Sequence, residues 1–195
     1  MAQTSTTLIA SKGHKVDISN KTDISFSATG TEYKISATAT SLGNLLPYDL
    51  ITVTGSTSNN STFTIKSVAS DDLSIIVEEI IATEAAGDTV TIDHVGFVSD
   101  KFKGDGYYSQ PDGVHTISYQ LTASYPAATV IKMQGTLATT PTESDWFDIS
   151  GTDFTTDGTT TIKNVSFNFT GNLVWVRAKA TGVTDDTINS ILLNH

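Results

Sequence analysis

Apolar and polar side chains alternate with a period of two along almost the whole chain. In Gly113–Thr122, His115, Ile117, Tyr119 and Leu121 share one face, and polar side chains occupy the other. This alternation is typical of a β-strand with one buried face. The same pattern predicts strands at Ile24–Ala28, Tyr33–Ala39, Leu50–Gly55, Thr62–Val68, Leu73–Val77, Asp88–Ile92, Gly113–Thr122, Ala128–Leu137, Trp146–Ile149, Thr160–Phe169, Leu173–Ala180 and Thr187–Leu193.

Short turns rich in Asn, Asp, Ser and Gly separate these segments, for example Ser58–Asn60 and Asp157–Gly158. Many short strands at intervals of about 8–12 residues are typical of sandwiches and barrels. Val77–Ala86 contains good helix formers, but its brevity favours a strand end followed by a loop. The expected fold class is therefore all-β, with two β-sandwich or barrel-like domains plus an N-terminal extended arm.

The expected domains differ in composition. Residues 1–22 are polar with few apolar anchors, so we expect an N-terminal arm or edge strand. Residues 23–97 form a small β domain around the strand–turn–strand unit Leu50–Val68. Residues 98–195 form a β-sandwich domain, with the boundary near Val98–Asp105.

The strand Leu173–Ala180 predicts how the second domain packs. Its small apolar set is expected to face the core: Val174, Val176, Ala178 and Ala180. Its alternate set is expected to point outward: Leu173, Trp175, Arg177 and Lys179. In that position Trp175 would cover a neighbouring element or a second chain.

Charge argues against nucleic acid as a partner. The formal net charge is -10 and the pI is about 4.6, and the 11 basic residues are scattered, with Arg177 as the only Arg. A protein that binds the phosphates of a nucleic acid has its basic residues clustered instead. The longest apolar-rich run, Leu73–Ile81, falls short of the roughly 20 residues that span a bilayer. We therefore expect neither a nucleic-acid nor a membrane partner.

Cysteine is absent, which excludes disulfides and thiolate metal sites and suits a reducing compartment. The first 21 residues have no apolar run of signal-peptide length, so we expect no secretion signal. The four histidines do not have the spacing of a zinc helix motif: His14, His94, His115 and His195.

Carboxylates occur in pairs, mostly beside turn residues: Asp71 and Asp72, Glu78 and Glu79, Asp145 and Asp148, Asp153 and Asp157, Asp185 and Asp186. A glycosidase needs two carboxyls across a cleft, one with a raised pKa. A calcium site at Asp153, Asp157 or Asp185 is an alternative, although the spacing does not match an EF-hand loop. We expect no catalytic, cofactor-binding or metal-binding residues.

Several aromatic side chains suit either a sugar-stacking platform or the packing of a core or interface, and packing is the favoured interpretation. They are Tyr107, Tyr108, Tyr125, Trp146, Phe147 and Trp175.

Four phrases in the last half of the chain resemble a β-sandwich module of tailed-bacteriophage (cyanophage-like) virion structural proteins. They are GVHTISYQLTA, MQGTLATTPTESDWFDI, FNFTGNLVWVRAKA and DDTINSILLN, all within Gly104–Asn194. Leu50–Ile92 is similar to a smaller β module of such proteins, with Ser61 where Gly often follows the Asn pair.

The resemblance implies a structural component of the virion and not an enzyme. We expect a capsid decoration or cement protein on the head exterior, assembled in the host cytoplasm and located in the virion. Its expected partners are the major capsid protein, other virion proteins and itself, as a homo-oligomer such as a trimer. The alternatives are a tail, fibre or appendage component, a carbohydrate-binding host-attachment module and a hydrolase.

Overall fold

The computed structural model describes residues 5–105, 113–121, 128–158, 164–184 and 187–194. Within them the chain is all-β, which confirms the fold class predicted from the alternation. The strands are β1 Ser5–Ile9, β2 Lys12–Gly13, β3 Ile18–Lys21, β4 Ile24–Thr29, β5 Glu32–Ala37, β6 Asp49–Thr54, β7 Thr62–Val68, β8 Ser74–Val77, β9 Val90–Val98, β10 Phe102–Lys103, β11 Val114–Leu121, β12 Val130–Thr136, β13 Phe147–Asp148, β14 Phe154–Thr155, β15 Asn164–Thr170, β16 Trp175–Thr181 and β17 Thr187–Asn194.

The chain divides into two compact units. Unit 1 contains residues 1–14 and 98–195, and unit 2 contains residues 15–97. In unit 2 the strands follow the order β9-β6-β7-β8-β5-β4, all antiparallel, and β3 pairs with β9. Alternate side chains from these strands form its hydrophobic core, which includes Ile24, Phe26, Ile35, Ile51, Ile65, Ile75 and Ile92.

Unit 1 contains two antiparallel sheets. One has the order β1-β17-β11-β15, with β2 also pairing with β17. The other has the order β13-β12-β16, with β10 paired to β16 and β14 to β12. Tyr119 of β11 is fully buried, and its hydroxyl donates to the carbonyl of Thr152 at 2.8 Å. Burial raises the pKa of Tyr119 far above its ordinary value, so the hydroxyl stays protonated as a donor.

Most predicted strands correspond to observed strands within a few residues. The predicted strand Asp88–Ile92 extends to Val98, and Trp146–Ile149 shortens to Phe147–Asp148. Of the predicted strand Thr160–Phe169, the part before Asn164 lies outside the described residues. After Val77 the chain leaves the strand and forms a loop, as predicted, and Glu84 of this loop exchanges two backbone hydrogen bonds with Phe26.

Residues 1–22 were expected to form an arm or an edge strand, and Ser5–Ile9 form an edge strand at the end of the sheet β1-β17-β11-β15. β1 pairs with β17, and Leu8 and Ile9 are buried. Residues 15–22 belong to unit 2 instead, through β3. Backbone hydrogen bonds to a sheet edge hold a short polar strand with few apolar anchors, and composition does not reveal such bonds.

Replacing Ile9 with Ala should destabilise unit 1 by about 2–5 kcal/mol, because the change leaves a cavity beside β17. Val114→Ala is the control in the same unit, since Val114 is 58% exposed and should shift stability by less than about 0.5 kcal/mol. Urea denaturation followed by tryptophan fluorescence reports on unit 1, which contains both tryptophans. Equal stability of Ile9→Ala and wild type would mean that β1 is detached in solution.

Candidate functional site

The candidate site lies on the face of β12 and β16 that points away from the core of unit 1. Antiparallel pairing places Lys132 opposite Lys179 and Gln134 opposite Arg177. The intervening side chains, such as Met133, point to the other face and are fully buried. We call the four side chains Lys132, Gln134, Arg177 and Lys179 the outer face.

Arg177 lies at the centre of the outer face and is 5% exposed. Its guanidinium donates two parallel hydrogen bonds of 2.7 Å to the Glu143 carboxylate and a third, of 2.9 Å, to the Gln134 side-chain oxygen. The guanidinium carbon lies 4.3 Å from the centre of the Trp146 ring. This combination of a bidentate carboxylate and an aromatic face is specific to Arg, since an ammonium group lacks the planar fork.

Arg177 points away from the core, as expected, but a loop covers it and leaves it buried. The loop between β12 and β13 folds over the strand, and its single 3-10 turn, Glu143–Asp145, supplies the carboxylate partner. Leu173, expected outward as well, is also buried. A Cβ added to Gly135 would lie 2.7 Å from Leu173, so the absence of a side chain at this position in β12 makes room for it.

Asp148 of β13 extends the network. It accepts hydrogen bonds from the Gln134 amide at 2.8 Å and from the Lys132 ammonium at 2.5 Å. Partial burial raises the pKa of Asp148, but the bonds from Lys132 and Gln134 outweigh it, so the net pKa is lowered. Hydrogen bonds from Thr142 likewise lower the pKa of Asp145. Both carboxyls are therefore held as anions, whereas a general acid needs a raised pKa.

Lys179 is the cation of the outer face for which the environment is least favourable. It is half-buried and lies directly opposite Lys132, although like charges in that position repel. Burial lowers the pKa of Lys179, the charge of Arg177 lowers it further, and Asp148 offsets part of the effect. Glu143 and Asp148 offset the charges of Arg177 and Lys132, so Lys179 supplies the excess positive charge of the outer face.

Three of the six aromatic candidates surround this face: Trp146, Phe147 and Trp175. The Trp175 indole donates to the carbonyl of Thr139 at 3.1 Å, and the Lys101 ammonium lies 5.0 Å from its ring centre. Phe147 is 47% exposed. Tyr107, Tyr108 and Tyr125 lie outside the described residues.

Two histidines lie buried beside aspartates. His94 Nε2 is 3.8 Å from Asp49, and its Nδ1 accepts from the backbone N–H of Lys15 at 3.3 Å. His115, on the predicted buried face, lies 3.8 Å from Asp105 and stacks on Phe169 with ring centres 4.7 Å apart. His94 and Asp49 belong to different strands and His115 and Asp105 to different segments, so the alternation pattern does not predict either pair.

The remaining histidines stay apart from these pairs. His14 is half-buried, and its Nδ1 lies 3.1 Å from the carbonyl oxygen of Val183. His195 lies outside the described residues.

The other paired carboxylates occupy structural positions. Glu79 accepts two hydrogen bonds from Thr64, Asp71 accepts one from the backbone of Leu73, and Glu78 pairs with Lys66 at 3.6 Å. Among the described residues no group of three or more His, Asp or Glu is placed to hold a metal ion. Of the calcium candidates, Asp185 lies outside that part of the chain, as does its neighbour Asp186.

Unit 2 contains a polar network that holds the turn between β6 and β7. The Glu84 carboxylate accepts from the Ser56 hydroxyl, the backbone N–H groups of Thr57 and Ser58, and the Asn59 amide, at 2.8–3.0 Å. Asn59 is 3% exposed and also exchanges hydrogen bonds with Ala82. These bonds fix the loop without a Gly at position 61 and leave little of this carboxylate's capacity for a ligand.

A shallow polar groove of about 640 Å³ lies between residues 17–23 and 39–41 of unit 2. Its Asp23 carboxylate accepts hydrogen bonds from the Thr40 hydroxyl and from the backbone of Thr40 and Ala39, which hold its pKa far below the usual range. This carboxylate joins two segments of the fold, so the outer face of unit 1 is the better candidate site.

No protein-family model matches this chain, and no curated protein matches it in sequence. In the part of the chain that the structure describes, no helix has the length and hydropathy needed to cross a bilayer.

Replacing Glu143 with Gln should destabilise unit 1 by about 1–3 kcal/mol, because it leaves the buried guanidinium without its charged acceptor. Glu78→Gln is the matched control: its ion pair with Lys66 is exposed, so we expect a change of less than about 1 kcal/mol. Chemical denaturation measures both. Equal effects would show that the Arg177–Glu143 pair is no stronger than a surface contact.

Replacing Lys179 with Met should stabilise the protein at neutral pH. The folded-state pKa of Lys179 is lowered, so the folded state disfavours its charge below that pKa. The penalty disappears as the pH rises towards the ordinary value of 10.5, and the difference between variant and wild type should narrow accordingly. Lys21→Met, at an exposed position, should show neither effect in denaturation curves at several pH values. A constant difference across pH would contradict the electrostatic explanation.

Proposed function

We propose that the protein is a structural component of a bacteriophage virion, a capsid decoration or cement protein on the head exterior. The proposal rests on the positions in the fold of the four sequence segments that resemble virion proteins. They include β11, β12, β13, β16, β17 and the end of β15, and so supply strands to both sheets of unit 1. The resemblance therefore extends over a folding unit and not over one isolated strand.

The internal hydrogen bonds made by carboxylates of the described residues support the same proposal. Glu143, Asp148 and Glu84 each accept several internal hydrogen bonds, so they stabilise loops against sheets. A particle protein must keep its shape while it binds neighbours, and such loops provide rigid surfaces for that purpose. With a net charge of -10, an acidic exterior also limits non-specific association before assembly.

A carbohydrate-binding module is the second candidate, because Phe147 is exposed and follows Trp146 in the chain. The two tryptophans each have a cation over the ring, Arg177 and Lys101 respectively. A sugar-stacking platform needs free ring faces, and here at least one face of each ring is engaged. This arrangement favours the structural role over the glycan-binding role.

Immunogold electron microscopy tests the proposal on virions of the phage whose genome encodes the chain. Gold label over the head is expected, with the protein present in purified virions by mass spectrometry. Label confined to the tail or fibres would overturn the decoration role and favour the alternative structural one. Absence from purified virions by both methods would overturn the virion proposal itself.

A further inference from the structure

β15 is the last strand of the sheet β1-β17-β11-β15. It pairs with β11 over seven consecutive positions, from Val114↔Thr170 to Gln120↔Asn164, with no register shift. Among the described residues no strand lies along its other side. Such an edge presents a row of backbone N–H and C=O groups that can pair with another strand.

The devices that usually prevent edge pairing are missing from β15. Its sequence, NVSFNFT, contains no charged residue, no proline and no glycine, and its ladder has no bulge. Two other edge strands of the described residues, β1 and β4, have such features. β1 has a register shift between Thr7 and Ile9, and β4 is covered by backbone hydrogen bonds between Phe26 and Glu84. The β15 edge therefore stands out as open to a further strand.

The two faces of β15 differ in a way that suits extension of the sheet. Val165 and Phe167 are half-buried and Phe169 is buried; all three lie opposite buried residues of β11. The Phe167 ring centre is 5.6 Å from that of Tyr119. The alternate side chains are exposed and polar but uncharged: Asn164, Ser166, Asn168 and Thr170. A strand added at this edge would cover the exposed parts of Val165 and Phe167.

The sequence of β15 is complementary to that of a second, antiparallel copy of the same strand. In an antiparallel pair centred on Phe167, Val165 meets Phe169 and Ser166 meets Asn168, while Asn164 meets Thr170. Apolar residues meet apolar ones and polar residues meet polar ones. The pair also brings no charge into the contact, although each chain has a net charge of -10. This complementarity identifies a second copy of the chain as the occupant.

We propose that β15 pairs antiparallel with β15 of a second copy, about a two-fold axis at Phe167, and so joins two sheets into one. The proposal names the surface for the self-association expected of a virion component, and to that extent it rests on the proposed function. One strand pair buries little area, so the dimer is weak and its population depends on concentration.

Single-cysteine variants test the register, because the wild-type chain contains no cysteine. Ser166→Cys and Asn168→Cys are at exposed positions that meet across the proposed axis. Under mild oxidation, a mixture of the two should form a disulfide-linked dimer, and neither alone should do so efficiently. The matched control mixes Ser166→Cys with Thr116→Cys, which is exposed on the inner strand β11 and should not cross-link. Cross-linking of Ser166→Cys alone, or equally with the control, would overturn this register.

Sedimentation of the wild type should show a concentration-dependent shift from 20.7 kDa towards twice that mass. Ser166→Lys should raise the dissociation constant of the dimer about tenfold, because a lysine on an edge strand disfavours pairing with another strand. Thr116→Lys should leave the dissociation constant unchanged. A wild type that stays monomeric at all concentrations overturns the proposed contact. If the wild type associates and Ser166→Lys does not weaken the association, the interface lies elsewhere. Gold labelling tests localisation in the virion independently of this result.

Discussion

The structure depends on one constraint: each paired strand must bury one face, so successive side chains alternate between core and exterior. On β11 this buries His115, Ile117, Tyr119 and Leu121. The same parity forces Arg177 and Lys179 to the face of β16 away from Ala178. A shift of one residue would put both cations into the core of unit 1, where an unpaired charge is very costly. The register that buries the apolar side chains is therefore also the register that keeps these two charges out of the core.

On the outer face a loop covers a charged side chain of the sheet, and that side chain needs hydrogen bonds in place of water. Covering Arg177 removes water from a permanent cation, and Glu143 and Gln134 replace the lost hydration with hydrogen bonds. Lys179 has no comparable arrangement in the described residues and remains half-buried next to like charge. The two cations therefore differ in their surroundings: Arg177 has acceptors within the fold, whereas the charge of Lys179 is disfavoured there.

The proposed roles in assembly rest on edges and surfaces and do not require a pocket. A β15 edge without charge or bulge can be extended, whereas the β4 edge is already covered by the loop at Glu84. The carboxylates of Asp148 and Asp145 are held as anions, and that of Glu84 is occupied in holding a loop. Fixed surfaces of this kind are what the proposed decoration role requires.

The alternation and the turn residues were sufficient to predict the all-β class and most strands, because strand parity and turn chemistry are local properties. The sequence left residues 1–22 as an arm or an edge strand, because the partner of β1 is β17, at the opposite end of the chain. The sequence drew attention to Arg177 and Trp146, but their contact with each other and with Glu143 depends on a loop folding back across 34 residues. Sequence by itself determined which side chains share a strand face. Tertiary structure alone decided which outward faces are covered and which edges stay open, because coverage depends on contacts between segments that no local pattern encodes.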